Sequence, residues 1–177
     1  QISMEGYSSS NLTTMLSKIT SGATSALGDI EMEGYSSNNL SLMVEKITAG
    51  ATSALDEIQL EGFSSDNLSS MVQEITSGAT GALDEIEMAG FDPSTDVFSM
   101  TEKVILGTTG ALSEIEMDGY DSDDLEGMIE GVTTGAISAI NELQGAGLDQ
   151  NNMSNMMKSI SSSASKGLSR LENSKLL

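Results

Sequence analysis

The sequence predicts an all-α fold: tandem 28-residue single-helix repeats, about six long antiparallel helices forming an elongated α-solenoid or an up-down helical array. Three observations predict it. The chain repeats with a period of 28 residues, so that 32–59 (MEGYSSNNLSLMVEKITAGATSALDEIQ) and 60–87 (LEGFSSDNLSSMVQEITSGATGALDEIE) match at 19 of 28 positions. Within each period the apolar residues step by three and four, the spacing of one helix face. The apolar content comes from Ala, Leu, Ile and 12 Met, with 3% aromatic residues, no Trp and one Pro. Such side chains suit close helix packing better than a β-sandwich, which favours β-branched and aromatic residues.

One helical repeat domain is expected over 1–177, with repeats at 4–31, 32–59, 60–87, 88–116, 117–144 and 145–172. Residues 1–3 read as the end of a preceding repeat and 173–177 as a tail. The fourth repeat carries one extra residue around Asp92-Pro93-Ser94. Because Gln1 to Gly6 align with Asp29 to Gly34, the chain is expected to begin in mid-repeat, by processing or by excision from a longer array.

Each repeat opens with a corner. Gly6, Gly34, Gly62, Gly90, Gly119 and Gly147 fill one column without exception. The next column holds Tyr7, Tyr35, Phe63, Phe91, Tyr120 and Leu148; the next holds Ser8, Ser36, Ser64, Asp92, Asp121 and Asp149, all good N-caps. Glycine, a large apolar residue and a cap in succession read as one helix end joined to the next helix start, the glycine taking the left-handed C′ position. The aromatic then staples the following helix against Leu12, Leu40, Leu68, Val97, Leu125 or Met153.

The helix follows. In the second repeat Leu40, Met43, Val44, Ile47, Ala51, Ala54, Leu55 and Ile58 keep helical phase through the mid-repeat Gly50, which predicts one helix of roughly 24 residues. The rival reading breaks the helix at Gly22, Gly50, Gly78, Gly107 and Gly135, since glycine is a poor interior residue. No consistent cap follows that glycine: the Thr24 column becomes Ile137 in the fifth repeat. Gly22, Ala23 and Ala26, repeated as Gly50, Ala51 and Ala54, form a flat patch where a neighbouring backbone can come close. The same spacing would also suit a membrane-inserting helix. Short corners make consecutive helices antiparallel, with odd helices in one layer and even helices in the other. The sixth repeat replaces the glycine with Ser163, is rich in Ser, Asn and Met and reverses charge, as a terminal repeat would.

Composition bounds the chemistry. The chain has no Cys and no His, which excludes disulfides, thiolate sites and the commonest general base and metal ligand. Its net charge of −20 argues against nucleic acid or an anionic membrane as partner. Residues 1–144 hold three basic against 25 acidic side chains, whereas 145–177 hold Lys158, Lys166, Arg170 and Lys175 against Asp149 and Glu172. Nothing resembles a signal peptide, and no apolar run approaches the ~20 residues of a transmembrane segment. No catalytic constellation is present, so an enzyme is not expected.

The candidate sites each have a plainer alternative. Met15, Met43, Met71, Met100, Met128 and Met156 form a perfect column, either core between layers, a peptide groove or a thioether site for Cu(I). A second column holds Met4, Met32, Met88 and Met117, with Leu60 in the third repeat. Asp29, Glu31 and Glu33, Asp56, Glu57 and Glu61, and Asp84, Glu85 and Glu87 fall in the predicted last helical turns, against the macrodipole. They read as a solvated acidic rim or as Ca²⁺ ligands, with Asp121, Asp123 and Asp124 the densest candidate, although no EF-hand loop is matched. Asn11, Asn39, Asn67 and Asn152 start Asn-x-Ser/Thr triplets at positions where Asn suits a cap region anyway. The divergent fourth repeat offers Phe98, Ile105 and Leu106 as a binding face.

The functional expectation is a non-enzymatic helical-repeat scaffold, spacer or protein-binding module of a longer extracytoplasmic or cell-surface protein. It would need no cofactor unless Ca²⁺ is bound, and would engage a protein partner or itself. The alternatives are a membrane-active helical protein of the pore-forming type and an acidic decoy for a basic protein. The extracytoplasmic expectation rests on low Lys content, acidity and a Ser/Thr/Asn/Gly-rich surface.

Overall fold

A computed structural model describes residues 8–30, 36–57, 64–86, 92–115, 121–142 and 150–175. They form six α-helices and no strand: α1 (Ser9–Ser25), α2 (Ser37–Glu57), α3 (Ser65–Gly81), α4 (Pro93–Leu112), α5 (Ser122–Glu142) and α6 (Gln150–Lys175), with a 3-10 turn at Leu83–Glu85. The mid-repeat glycines do not break them. Gly22, Gly50, Gly78, Gly107 and Gly135 each lie inside a continuous helix.

The helices begin where the cap residues dictate. The Ser8 side chain accepts the Asn11 N–H while the Asn11 side chain accepts the Ser8 N–H, and Ser64 and Asn67 repeat the reciprocal pair. The Ser36 N–H likewise donates to Asn39 Oδ1 at 2.9 Å, and the Asp92 N–H to Asp96 Oδ2 at 2.8 Å. The staple residues Leu12, Leu40, Leu68, Val97 and Leu125 are buried behind these caps, with Met153 half-buried. Their expected aromatic partners and the corner glycines (Gly6, Gly34, Gly62, Gly90, Gly119 and Gly147; Tyr7, Tyr35, Phe63, Phe91 and Tyr120) lie outside the described residues.

Helix ends differ from expectation. α1 and α3 run for 17 residues rather than about 24. After Ala26 and Ala82 the backbone tightens into i→i+3 bonds, Gly28 N–H to the Ser25 carbonyl at 2.9 Å and Glu85 N–H to the Ala82 carbonyl at 3.3 Å. Asp29 and the Leu83–Glu85 turn therefore stand beyond the α-helical ends, where the macrodipole opposes a carboxylate less. In α2 the acids Asp56 and Glu57 do occupy the last turn as expected.

Packing is heaviest between helices two apart in the chain: α3 on α5, α2 on α4, α1 on α3 and α4 on α6. Sequence neighbours touch less, α5 on α6 being the heaviest of these contacts. The buried interior joins Leu12, Leu40, Leu68, Met71, Ile75, Met100, Ile105, Met128 and Ile140 into one apolar cluster. Met71, Met100, Met128 and Met156 are core residues, while Met15 and Met43 are half-buried. Threonine is unusually common inside. Thr20, Thr48 and Thr76 are fully buried, and each hydroxyl donates to a carbonyl one turn earlier in its own helix, at 2.8, 3.0 and 2.9 Å. A hydroxyl satisfied within its own helix asks nothing of the helix packed against it.

Candidate functional site

The contact between helices two apart has one recurring geometry. Gly78 of α3 faces the backbone of α1: a Cβ placed on it would lie 2.6 Å from the Ser17 carbonyl oxygen. Gly107 of α4 faces the Glu45 carbonyl of α2, and Gly135 of α5 the Gln73 carbonyl of α3, closer still. Ser17, Glu45 and Gln73 occupy the same position of successive repeats, as do the three glycines. Any side chain there would hold the helices apart. Beside the seam Lys103 Nζ of α4 pairs with Glu45 Oε2 of α2 at 2.7 Å, and the Ser159 hydroxyl of α6 donates to Glu102 of α4.

The face that carries the glycine changes state along the chain. In α3 it comprises Met71, Ile75, Gly78 and Ala79, with the C-cap Ala82; in α5 it comprises Met128, Val132, Gly135, Ala136 and Ala139. All are buried except the half-buried Gly78. The corresponding residues of α4 and α6 are buried as well. In α1 the same positions are open: Ile19 is 60% exposed, Gly22, Ala23 and Ala26 are exposed, and Met15 is half-buried. In α2 Gly50 and Ala54 are exposed, Met43, Ile47 and Ala51 are half-buried, and the adjoining Leu42 is 50% exposed. Nothing lies within 4 Å of a Cβ built on Gly22 or Gly50. An apolar helix-docking face is thus uncovered on the first helix of each set.

The opposite, receiving face is open at the other end. Its positions are buried in α1 as Leu16, Thr20 and Thr24 and in α2 as Val44, Thr48 and Thr52. In α5 the equivalent Ile129 is buried and Thr133 and Ile137 are half-buried, with the adjoining Glu130 exposed. In α6 Met157, Lys158, Ser161 and Ser165 are all exposed. A shallow groove of about 510 Å³ runs over this part of α6, lined by Ser162, Ser165, Lys166, Ser169 and Arg170. A second, of about 460 Å³, lies between the first turns of α1 and α3 and is lined chiefly by Ser and Thr with Lys18 and Glu74. Neither groove brings together groups for acid–base or nucleophilic chemistry.

The residues singled out from sequence fall differently. Asp121 caps α5: its Oδ1 accepts the N–H groups of Asp123 at 2.9 Å and Asp124 at 3.1 Å, while its own N–H donates to Asp124 Oδ2 at 2.9 Å. Asp121 and Asp124 thus act as a reciprocal cap, and no group of three or more acidic side chains positioned to hold a metal occurs among the described residues. Ile105 is fully buried, so it belongs to the core rather than to a binding face; its apolar side chain fills a position that Thr20, Thr48 and Thr76 fill in the first three repeats. Phe98 and Leu106 are half-buried, Phe98 packed against the core. Among the described residues no helix is long and apolar enough to cross a membrane.

Sequence reasoning passed over Ile19 and Leu42. Ile19 looks like the buried Ile75 and Ile160 and the half-buried Ile47 of its column, and only its place in the order of helices leaves it bare. Leu42 did carry a signal, because its column otherwise holds Thr14, Ser70, Ser99, Gly127 and Asn155. Compared with known proteins, the chain matches no family model, and no curated relative is found.

Proposed function

We propose that the chain is a helical-repeat array that acts without catalysis as a scaffold, spacer or protein-binding module outside the cytoplasm. The observation that carries this reading is the same glycine-on-carbonyl contact made by three successive helices, α3, α4 and α5, each with the helix two before it. A contact reproduced at a fixed step along the chain is the mark of translational stacking, in which odd helices line one layer and even helices the other. A chain without Cys and His, whose two grooves among the described residues bring no reactive groups together, supports a role in holding or binding. The extracytoplasmic location rests on the acidic, Lys-poor and Ser/Thr-rich composition.

The test is to lengthen the array. A second copy of residues 60–116 is inserted after residue 116, adding one helix pair. Stacking predicts unchanged helicity per residue, a higher melting temperature and a particle longer by about 8–10 Å in solution scattering. A single closed core would lose helicity or aggregate, and that outcome would end the reading.

A further inference from the structure

We infer that the bare face of α1 and α2 is the docking surface for the α5–α6 face of a second copy of this chain, so that molecules join head to tail. The inference rests on the array reading above and names its partner. The first argument is continuity with the interface inside the molecule. The residues that bury against the preceding helix in α3 to α6 recur in α1 and α2 in more open surroundings: Ile19 is 60% exposed and Gly22, Ala23, Ala26, Gly50 and Ala54 are exposed, Met15, Met43, Ile47 and Ala51 are half-buried, and Leu42 beside them is 50% exposed. These are the docking half of the seam, complete down to Gly22 and Gly50. The receiving half is what α5 and α6 present outward: Ser and Thr hydroxyls with an occasional apolar residue such as Ile137 or Met157. That is the character of the Thr20, Ser21 and Thr24 strip on which α3 already sits.

Charge in the odd layer supplies the second argument. Inside the molecule Lys103 docks beside the seam onto Glu45. Lys18 is the equivalent of Lys103, and Glu130 of α5 the equivalent of Glu45; both are exposed, at opposite ends. Stacking α1 of one copy on α5 of another in the internal register brings Lys18 to Glu130. The matching even-layer pair is Lys46 on Lys158, an unfavourable match. The ends are unlike, so the contact is heterologous and leaves a free docking face after each addition.

The experiment is sedimentation equilibrium of the whole chain from about 1 µM to 1 mM, with four variants. The chain is expected to associate without a fixed end size. Gly22→Ala with Gly50→Ala should raise the melting temperature of the dilute monomer, because alanine is the better helix former, and yet lower the association constant about tenfold or more. Lys18→Glu alone and Glu130→Lys alone should each weaken association by roughly threefold or more, the two mixed should associate in alternation because both junctions between unlike variants are complementary, and a chain carrying both should associate as the parent does. A chain monomeric throughout this range overturns the proposal, as does a glycine variant that associates undiminished. A Glu130→Lys chain that still associates fully means that two α1–α2 faces meet each other, which also overturns it. Failure of the array reading shows separately, in the lengthened chain, whatever the association state.

Discussion

Alanine at the mid-helix glycines should have opposite effects depending on which helix carries it. At Gly50 nothing lies within 4 Å of the new methyl, so Gly50→Ala gains only helix propensity, about 1 kcal/mol. At Gly78 the methyl meets the Ser17 carbonyl oxygen at 2.6 Å, with Ser17 Oγ at 3.1 Å. Ordinary contact begins at 3.4 Å, so 3.4 less 2.6 leaves 0.8 Å by which α3 must lift from α1. A gap of about 0.5–1 Å forfeits a quarter to a half of each dispersion contact across the seam. Overpacking of this kind costs about 1–3 kcal/mol, which offsets or exceeds the propensity gain. Gly78→Ala should therefore fall below Gly50→Ala in stability by about 1–3 kcal/mol, or roughly 2–12 °C in melting temperature for a chain of this length. Urea unfolding of dilute protein, followed by far-ultraviolet dichroism, measures both variants. If Gly78→Ala were stabilised as much as Gly50→Ala, the helices would not approach as described, and the seam would be refuted along with everything built on it.

Three further substitutions probe other features. The Thr80 hydroxyl is buried with no hydrogen-bond partner among the described residues, whereas that of Thr76 donates to the Val72 carbonyl at 2.9 Å. Thr80→Val should stabilise by about 1 kcal/mol more than Thr76→Val, and equal urea midpoints for the two would contradict the assignment. Asp121→Ala removes the cap of α5 and should cost about 1 kcal/mol, by the same amount with and without millimolar Ca²⁺. A penalty that appears only with Ca²⁺ would restore the corner as an ion site. Ile105→Ala should cost about 2–4 kcal/mol, as a buried residue does, and Leu106→Ala distinctly less, both read from denaturation curves. Similar losses at the two positions would show that Ile105 is not the deeper of them.

The helices were legible because two independent signals agree in each repeat. Ser8 with Asn11 and Ser64 with Asn67 announce helix starts by local chemistry, and the spacing of Leu40, Val44 and Ile47 announces the buried face. The Met15 column also read correctly as interior from the third repeat onward. Helix ends were harder. The change to i→i+3 bonding after Ala26 coincides with Gly28, which stands where the next two repeats have Asp56 and Asp84 and comes against the Glu85 carbonyl, a contact 57 residues away. The candidate face was harder for a different reason. Phe98, Ile105 and Leu106 stood out by being unlike their columns, but difference in type carries no information about depth, and Ile105 lies as deep as the Thr20, Thr48 and Thr76 of its column. Ile19 and Gly22 resemble their columns and matter through their position at an end, a property that repetition itself hides.

The partner atom in the seam is a main-chain carbonyl, and every residue has one. Ser17, Glu45 and Gln73 present it equally well although their side chains are an alcohol, an acid and an amide. The backbone part of the joint therefore does not depend on which side chain the supporting residue carries, whereas the pairs beside it, Lys103 with Glu45 and Ser159 with Glu102, do. Replacing Glu45 would remove an ion pair and leave the glycine seated, whereas replacing Gly107 would lift the helix whatever stood at 45.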